Sequence, residues 1–317
     1  MQAVKYIFIP SQPAMMKLLN LLFFSALINI SSSFAQTTNG GKYILLIGID
    51  GLGGYAFPHA NTPNIQKLWS KGSYTFKARC IYPSSSSPNW ASMVMGAKPR
   101  KTQIPKNGFS LEKATKKAYC GRKPGQLWPS VYTLLHEQKP EKKTILLHHW
   151  DEYNRFVNLS DVYLDRCTHT EDSTAFYAIQ TIQSGMPDLL FLHFDNVDHA
   201  GHTYGHKTPA YYRDVHKVDS LVGLVIQALE AKGILEQTTI ILTADHGGRG
   251  KHHGWITEGE MNIPWIITGP GIKLNHPLKN KSVVTIDTAA TLAYLLGLTI
   301  PECWDGKPVL DAFIQPH

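Results

Sequence analysis

The run YILLIGID, Tyr43 to Asp50, is apolar almost without interruption until it closes on an acid. Such a run describes a strand covered on both faces, as strands of a parallel sheet are. Three further runs share its form: TILLHH from Thr144, PDLLFLHFD from Pro187 and TTIILTAD from Thr238, with PWIIT from Pro264 a weaker fifth. Helical stretches lie between them. TPNIQKLWSKG offers Thr62 as N-cap, Pro63 at the first helical position and Gly72 as a stop. SPNWASMVMG opens with Ser87 and Pro88, and TIDTAATLAYLLG ends at Gly297. From Pro209 to Lys232, Val215, Val218, Leu221, Val222, Val225, Ile226 and Leu229 line one side of a long amphipathic helix. Strands alternating with helices predict an α/β fold: a doubly wound, mostly parallel sheet flanked by helices. No internal repeat or low-complexity linker interrupts residues 42–317, so residues 36–317 read as a single domain.

The N-terminus has another character. Lys17 precedes the apolar stretch Leu18 to Ile30, and SSSFA ends at Ala35 with Ser33 two residues before it. A basic region, a short apolar core and small residues at a cut site predict a secretory signal over residues 1–35. The apolar stretch falls short of the ~20 residues a membrane span needs, so no integral span is expected after cleavage and the product is expected outside the cytoplasm, periplasmic or extracellular. Translation from Met1, Met15 or Met16 fits this reading, since Pro10 and Pro13 are unusual in a signal. Loss of that segment removes Lys5 and Lys17 and no acid from a chain whose formal charge is +7. The remaining mild basic excess suits a small anionic substrate, whereas no dense Lys/Arg run points to duplex nucleic acid. Cys80, Cys120, Cys167 and Cys303 form no CxxC, and their pairing is not readable from spacing. Oligomeric state is equally unreadable.

In open α/β sheets, ligands bind beyond the carboxyl ends of the strands. Asp50 closes the first run, Asp198 follows the one ending at Phe194, and Asp245 with His246 follows the one ending at Thr243. DHAGH places Asp198 and His202 one helical turn apart, and His253 stands before a glycine. Singly, an acid after a strand is commonly a helix cap and a lone histidine is commonly structural. Together they are the carboxylate and imidazole donors that a pair of Zn²⁺ ions accepts, although Mn²⁺ or another divalent ion takes similar donors. A serine run, Ser84 to Ser87 before Pro88, adds candidate nucleophiles.

On these motifs, from IGIDG to WDGKPV, the chain resembles the alkaline phosphatase superfamily, most closely its type I phosphodiesterase/nucleotide pyrophosphatase branch. The resemblance implies one zinc held by Asp50, Ser86, Asp245 and His246, and another held by Asp198, His202 and His253. His252 is adjacent, but the His-Gly context favours His253. Four serines leave the nucleophile ambiguous on chemistry alone, and the resemblance selects Ser86. Helical logic agrees: with Pro88 at the first position, Ser87 is the N-cap and Ser86 sits just outside the positive helix end. Two divalent cations would balance Asp50, Asp198, Asp245 and a Ser86 alkoxide, leaving a site able to accept a phosphodiester monoanion.

The resemblance further implies that Asn107, at the family's spacing from Ser86, binds a phosphoryl oxygen. It predicts an exported hydrolase of phosphodiester or pyrophosphate bonds working through a phosphoseryl ester. The aromatic pair that sandwiches a base in the nucleotide pyrophosphatases is replaced by Ser87 and His193; His193 is the candidate for stacking on the substrate. Alternatives are a phosphomonoesterase, for which His148, His149 and Arg155 lie in a suitable region, and a phosphoryl transferase to an alcohol acceptor. A sulfatase is disfavoured because Ser86-Ser87-Pro88-Asn89-Trp90 lacks the arginine of that motif.

Overall fold

The computed structural model describes residues 40–314 apart from positions 58, 280 and 281, so the expected signal over residues 1–35 lies outside the described residues. The strands are β1 (Tyr43–Ile49), β2 (Gly72–Arg79), β3 (Thr144–His148), β4 (Leu164–Cys167), β5 (Leu189–Phe194), β6 (Thr238–Thr243), β7 (Asn262–Thr268) and β8 (His276–Pro277). They form one sheet in the order β4-β3-β5-β1-β6-β7-β2-β8. The block β4-β3-β5-β1-β6 is parallel throughout, and β7 runs antiparallel between β6 and β2. The expected mostly parallel α/β sheet is therefore the fold. Apart from half-buried Tyr43, every residue of β1 is buried, as is every residue of β3, β5 and β6, because helices cover both faces.

Pro264 has no N–H to give, yet it lies inside β7. Opposite it the β2 register shifts: Thr75 pairs Trp265 and Ala78 pairs Ile263, so two residues of β2 face one of β7. This bulge removes the need for the missing donor. The long helix Pro209–Ala231 buries Val215, Val218, Leu221, Val222, Val225 and Leu229 as its pattern requires.

Two local expectations are corrected. Gly72 does not simply stop a helix; it opens β2, whose alternating GSYTFKAR is an antiparallel pattern that sequence reading passed over. The serine helix spans Ser86–Met95 with Ser85, not Ser87, in the capping position, so Ser86 is its first residue. Pro88 is tolerated at the third position because N–H groups of the first turn have no intrahelical partner.

Candidate metal and phosphate site

Topology brings the acids together. β1 lies between β5 and β6, with Gly48 level with His193 on one side and Thr243 on the other. Asp50 therefore leaves the sheet between the segments that carry Asp198 and Asp245, and its N–H donates to Phe194 O at 2.8 Å. Cys80 N–H donates to Met261 O at 2.9 Å, so the chain leaving β2 delivers the serine helix to the same edge.

Three groups of three side chains each offer ligand atoms lying within 4.8 Å of one another: Asp50, Asp245 and His246; Asp198, His202 and His253; and Asp50, His193 and Asp195. The first two are the sets expected from sequence, whereas Asp195 was not singled out there. Those two sets adjoin, since the His246 and His253 rings stack with centroids 3.8 Å apart. Ser86 Oγ lies 3.3 Å from His246 Nε2, at the first group. His252 takes no part; it is exposed, and its backbone pairs with Arg249.

The donor set fits cations on this structure's own evidence. His246 Nδ1 faces Gly247 O at 2.9 Å, His202 Nδ1 faces Lys251 O at 2.9 Å, and His253 Nδ1 faces Ser84 O at 2.9 Å. A carbonyl only accepts, so each Nδ1 carries the hydrogen and each neutral ring turns a lone pair on Nε2 toward the centre. In consequence His202 Nε2 and His253 Nε2 face each other across 3.1 Å, an arrangement that needs a proton or a metal cation between them. Asp50 Oδ1 and Asp245 Oδ2 are buried with no hydrogen-bond partner. Burying carboxylates without partners is costly. Burial, and then the charge of Asp198, raises Asp50; burial, and then Asp50, lifts Asp245 well above the carboxylate range. His246 is pushed down to about 4 by burial, whereas the Asp198 carboxylate raises half-exposed His202 to about 9.

The remaining oxygens are held in place. Asp50 Oδ2 accepts Trp90 Nε1–H at 2.9 Å, and Asp245 Oδ1 accepts the N–H groups of Gly51 and His246 at 3.1 and 2.9 Å. Trp90 occupies the place where a sulfatase motif would carry arginine, and it was not singled out in the sequence. Its position four residues after Ser86 on one helix face was the available signal. Ser84 was likewise missed: beside its bond to His253, its hydroxyl donates to Trp255 O at 2.6 Å.

Asn107 Oδ1 accepts the Ser87 N–H at 2.8 Å, which fixes the exposed amide beside the serine helix and assigns Nδ2 as its free-facing donor end. His193 does not meet the expectation of a stacking surface. Its ring is wholly buried, 4.9 Å from the Trp90 ring, with Nε2 3.5 Å from Asp50 Oδ2 and Nδ1 accepting Trp150 N–H at 3.5 Å. A central parallel strand is covered on both faces, so His193 supports Asp50 from beneath. His148 binds Trp150 O and Asp165 at 2.7 and 3.1 Å, and Arg155 donates to Phe109 O at 2.6 Å, so these groups are committed elsewhere.

A family model described as type I phosphodiesterase / nucleotide pyrophosphatase matches residues 44–253. The human GPI ethanolamine phosphate transferase 2 catalytic subunit is 25% identical over 263 residues, covering 76% of this chain and 24% of its own length. Mouse ectonucleotide pyrophosphatase/phosphodiesterase family member 1 is 24% identical over 233 residues, covering 67% of this chain and 25% of its own. The chain thus spans about a quarter of the length of these curated relatives. Murine ectonucleotide pyrophosphatase / phosphodiesterase 5, solved in complex with AMP, superposes with a TM-score of 0.69 at 15% identity, over 86% of this chain and 100% of that one. A likeness at that identity speaks for the fold.

Proposed function

This chain belongs to the type I phosphodiesterase / nucleotide pyrophosphatase family, and from that premise we propose that it hydrolyses phosphodiester or pyrophosphate bonds of small substrates at a site holding two divalent cations. The observation that carries the reading is the convergence of inward-turned Nε2 lone pairs and partnerless carboxylate oxygens beside a serine hydroxyl. Asp50, Ser86, Asp245 and His246 would hold one ion and Asp198, His202 and His253 the other, with Zn²⁺ the best match to the donors. Such ions, when bound, favour the serine alkoxide and neutralise developing charge on phosphoryl oxygens.

Ser86 Oγ attacks phosphorus in line, a P–O bond to the leaving group breaks as the phosphoseryl ester forms, and water then releases the ester. Asn107 Nδ2 donates to a phosphoryl oxygen, and the N-terminus of the serine helix adds its positive end. Export is supported by the signal-like residues 1–35 and by the Cys120–Cys303 disulfide, a bond that persists in oxidising compartments. No described helix is long and apolar enough to cross a membrane. We treat residues 36–317 as one catalytic domain.

A second reading, transfer to an alcohol acceptor in place of water, is favoured by the similarity to an ethanolamine phosphate transferase. The test is hydrolysis of bis-p-nitrophenyl phosphate against p-nitrophenyl phosphate by zinc-loaded protein, with and without added alcohols. Preference for the diester supports the proposal, an alcohol adduct the second reading, and full activity after rigorous chelation rejects both.

A further inference from the structure

His206 is a buried side chain beside the site with no part in the chemistry above. It follows the helix Asn196–Tyr204 that carries Asp198 and His202, and it is 5% exposed. Its N–H donates to Gly250 O at 2.7 Å, tying the end of that helix to the loop carrying His253. Its ring occupies the slot between the glycines of DHAGH and ADHGG. A Cβ on Gly201 would lie 2.3 Å from His206 Nε2, and one on Gly248 would lie 2.1 Å from it. Both glycines therefore leave room for this imidazole.

His206 Nδ1 pairs with the Tyr55 hydroxyl at 3.0 Å. Tyr55 stands against Tyr211, ring centroids 5.9 Å apart, and the Tyr211 hydroxyl donates to Gly51 O at 2.9 Å, in the loop directly after Asp50. At the other end of the imidazole, Nε2 is buried without a partner and lies 3.9 Å from Asp198 Oδ1, which is also buried without a partner. At 3.9 Å the two atoms are in electrostatic range and too far apart for a hydrogen bond. An Nε2–H dipole is the favourable one to present to a carboxylate, and with that tautomer Nδ1 accepts from the Tyr55 hydroxyl.

We infer that His206 is a positioning residue for the Asp198–His202–His253 site: Tyr55 sets its tautomer, and its Nε2–H dipole faces Asp198 Oδ1 and orients that carboxylate. Asp198 Oδ2, 3.1 Å from His202 Nε2, is then turned toward the ion. This rests on the two-cation reading. Outer-shell partners of this kind govern metal affinity by about 10–100-fold.

The experiment is zinc binding by the full chain, read as stoichiometry and affinity in competition with a chromophoric chelator, for wild type, H206A, H206Q and Y55F. H206A is expected to keep one tightly held zinc and to lose affinity for the second by about 10–100-fold. H206Q, which keeps an N–H donor, is expected to recover most of that loss, and Y55F to fall between. Far-UV dichroism and thermal melting confirm folding, and H206Q carries the test if H206A fails to fold. Two zincs bound by H206A at wild-type affinity, or a folded H206Q with a weakened second site, overturns the inference. A wild-type chain that takes up fewer than two zincs overturns the two-cation reading, and this inference with it.

Discussion

The two halves of the site use similar donors in different surroundings. Asp50, Asp245 and His246 stand on the ends of β1 and β6 with side chains 2% exposed or less, and their spare oxygens are pinned by Trp90 and by backbone N–H groups. Asp198, His202 and His253 stand on a helix and a loop, and the His202 side chain is 45% exposed. Strand ends give a preformed, dry cradle. The helix and loop give one that solvent and substrate reach, so the outer ion is expected to exchange faster than the inner one.

Ser86 belongs to the inner half, 3.3 Å from His246 Nε2. Ser86→Ala should lower turnover by at least about 10³-fold, the scale seen when a covalent nucleophile is removed. It should leave two ions and the thermal midpoint close to wild type, because Asp50, Asp245 and His246 still hold the inner ion and that ion takes up the His246 Nε2 lone pair that faced the lost hydroxyl. Retained turnover would move the nucleophile elsewhere in the serine run; intact-mass detection of a trapped phosphoserine would locate it.

The halves should also respond differently to loss of a ligand. Asp245→Ala strands the N–H groups of Gly51 and His246, each costing about 1–3 kcal/mol when left unpaired, so even chelated protein should melt lower. His202→Ala strands no buried donor. It should lose the outer ion and about 100-fold in activity, beyond what an outer-shell change costs, while the melting point in chelator stays within a degree or two of wild type. Equal destabilisation by both would show that the outer half is no looser than the inner. A smaller effect is expected at Trp90→Phe, which frees Asp50 Oδ2 from its indole donor but keeps an aromatic ring: about tenfold in activity with inner-ion affinity reduced, checked by zinc titration.

The inner half was the more legible in the sequence, for a physical reason. Continuous runs such as YILLIGID and TTIILTAD leave no choice but a buried parallel strand, and acids directly after them must emerge at one edge. Of the outer set, helical spacing in DHAGH pointed to Asp198 and His202, whereas His253 came from the family resemblance. What escaped depends on where a side chain points after the chain has turned. His193 lies at the end of a strand but faces a covered side of the sheet, packed on Trp90. His206 reads as one more loop histidine until Gly201 and Gly248 are seen to make room for it. The serine run hid its cap because Pro88 fits either the first position or the third. β2 escaped because its alternation follows directly on a helix with no turn signal longer than Lys71-Gly72.

The smallest effect is one of protons. Without metal, a proton must fill the gap between His202 and His253, and the Asp198 carboxylate raises His202 to about 9. A group whose folded value is raised contributes stability that is fully present below its unfolded value, about 6.5 for imidazole, and lost as pH rises through the folded value. Chelated protein should therefore lose a little thermal stability between about pH 6.5 and 9. Zinc-loaded protein should not, because the ion needs His202 neutral and replaces the proton. The difference between their melting points should widen across that window, and calorimetry in buffers of different ionisation enthalpy should find proton release for the outer ion below about pH 9. His246, already neutral because burial holds it near 4, should release none, so any proton released for the inner ion comes from Asp50 or Asp245, which burial raises. A gap that narrows with rising pH would mean that the outer histidines carry no shared proton, and that their facing nitrogens are arranged for something other than a cation.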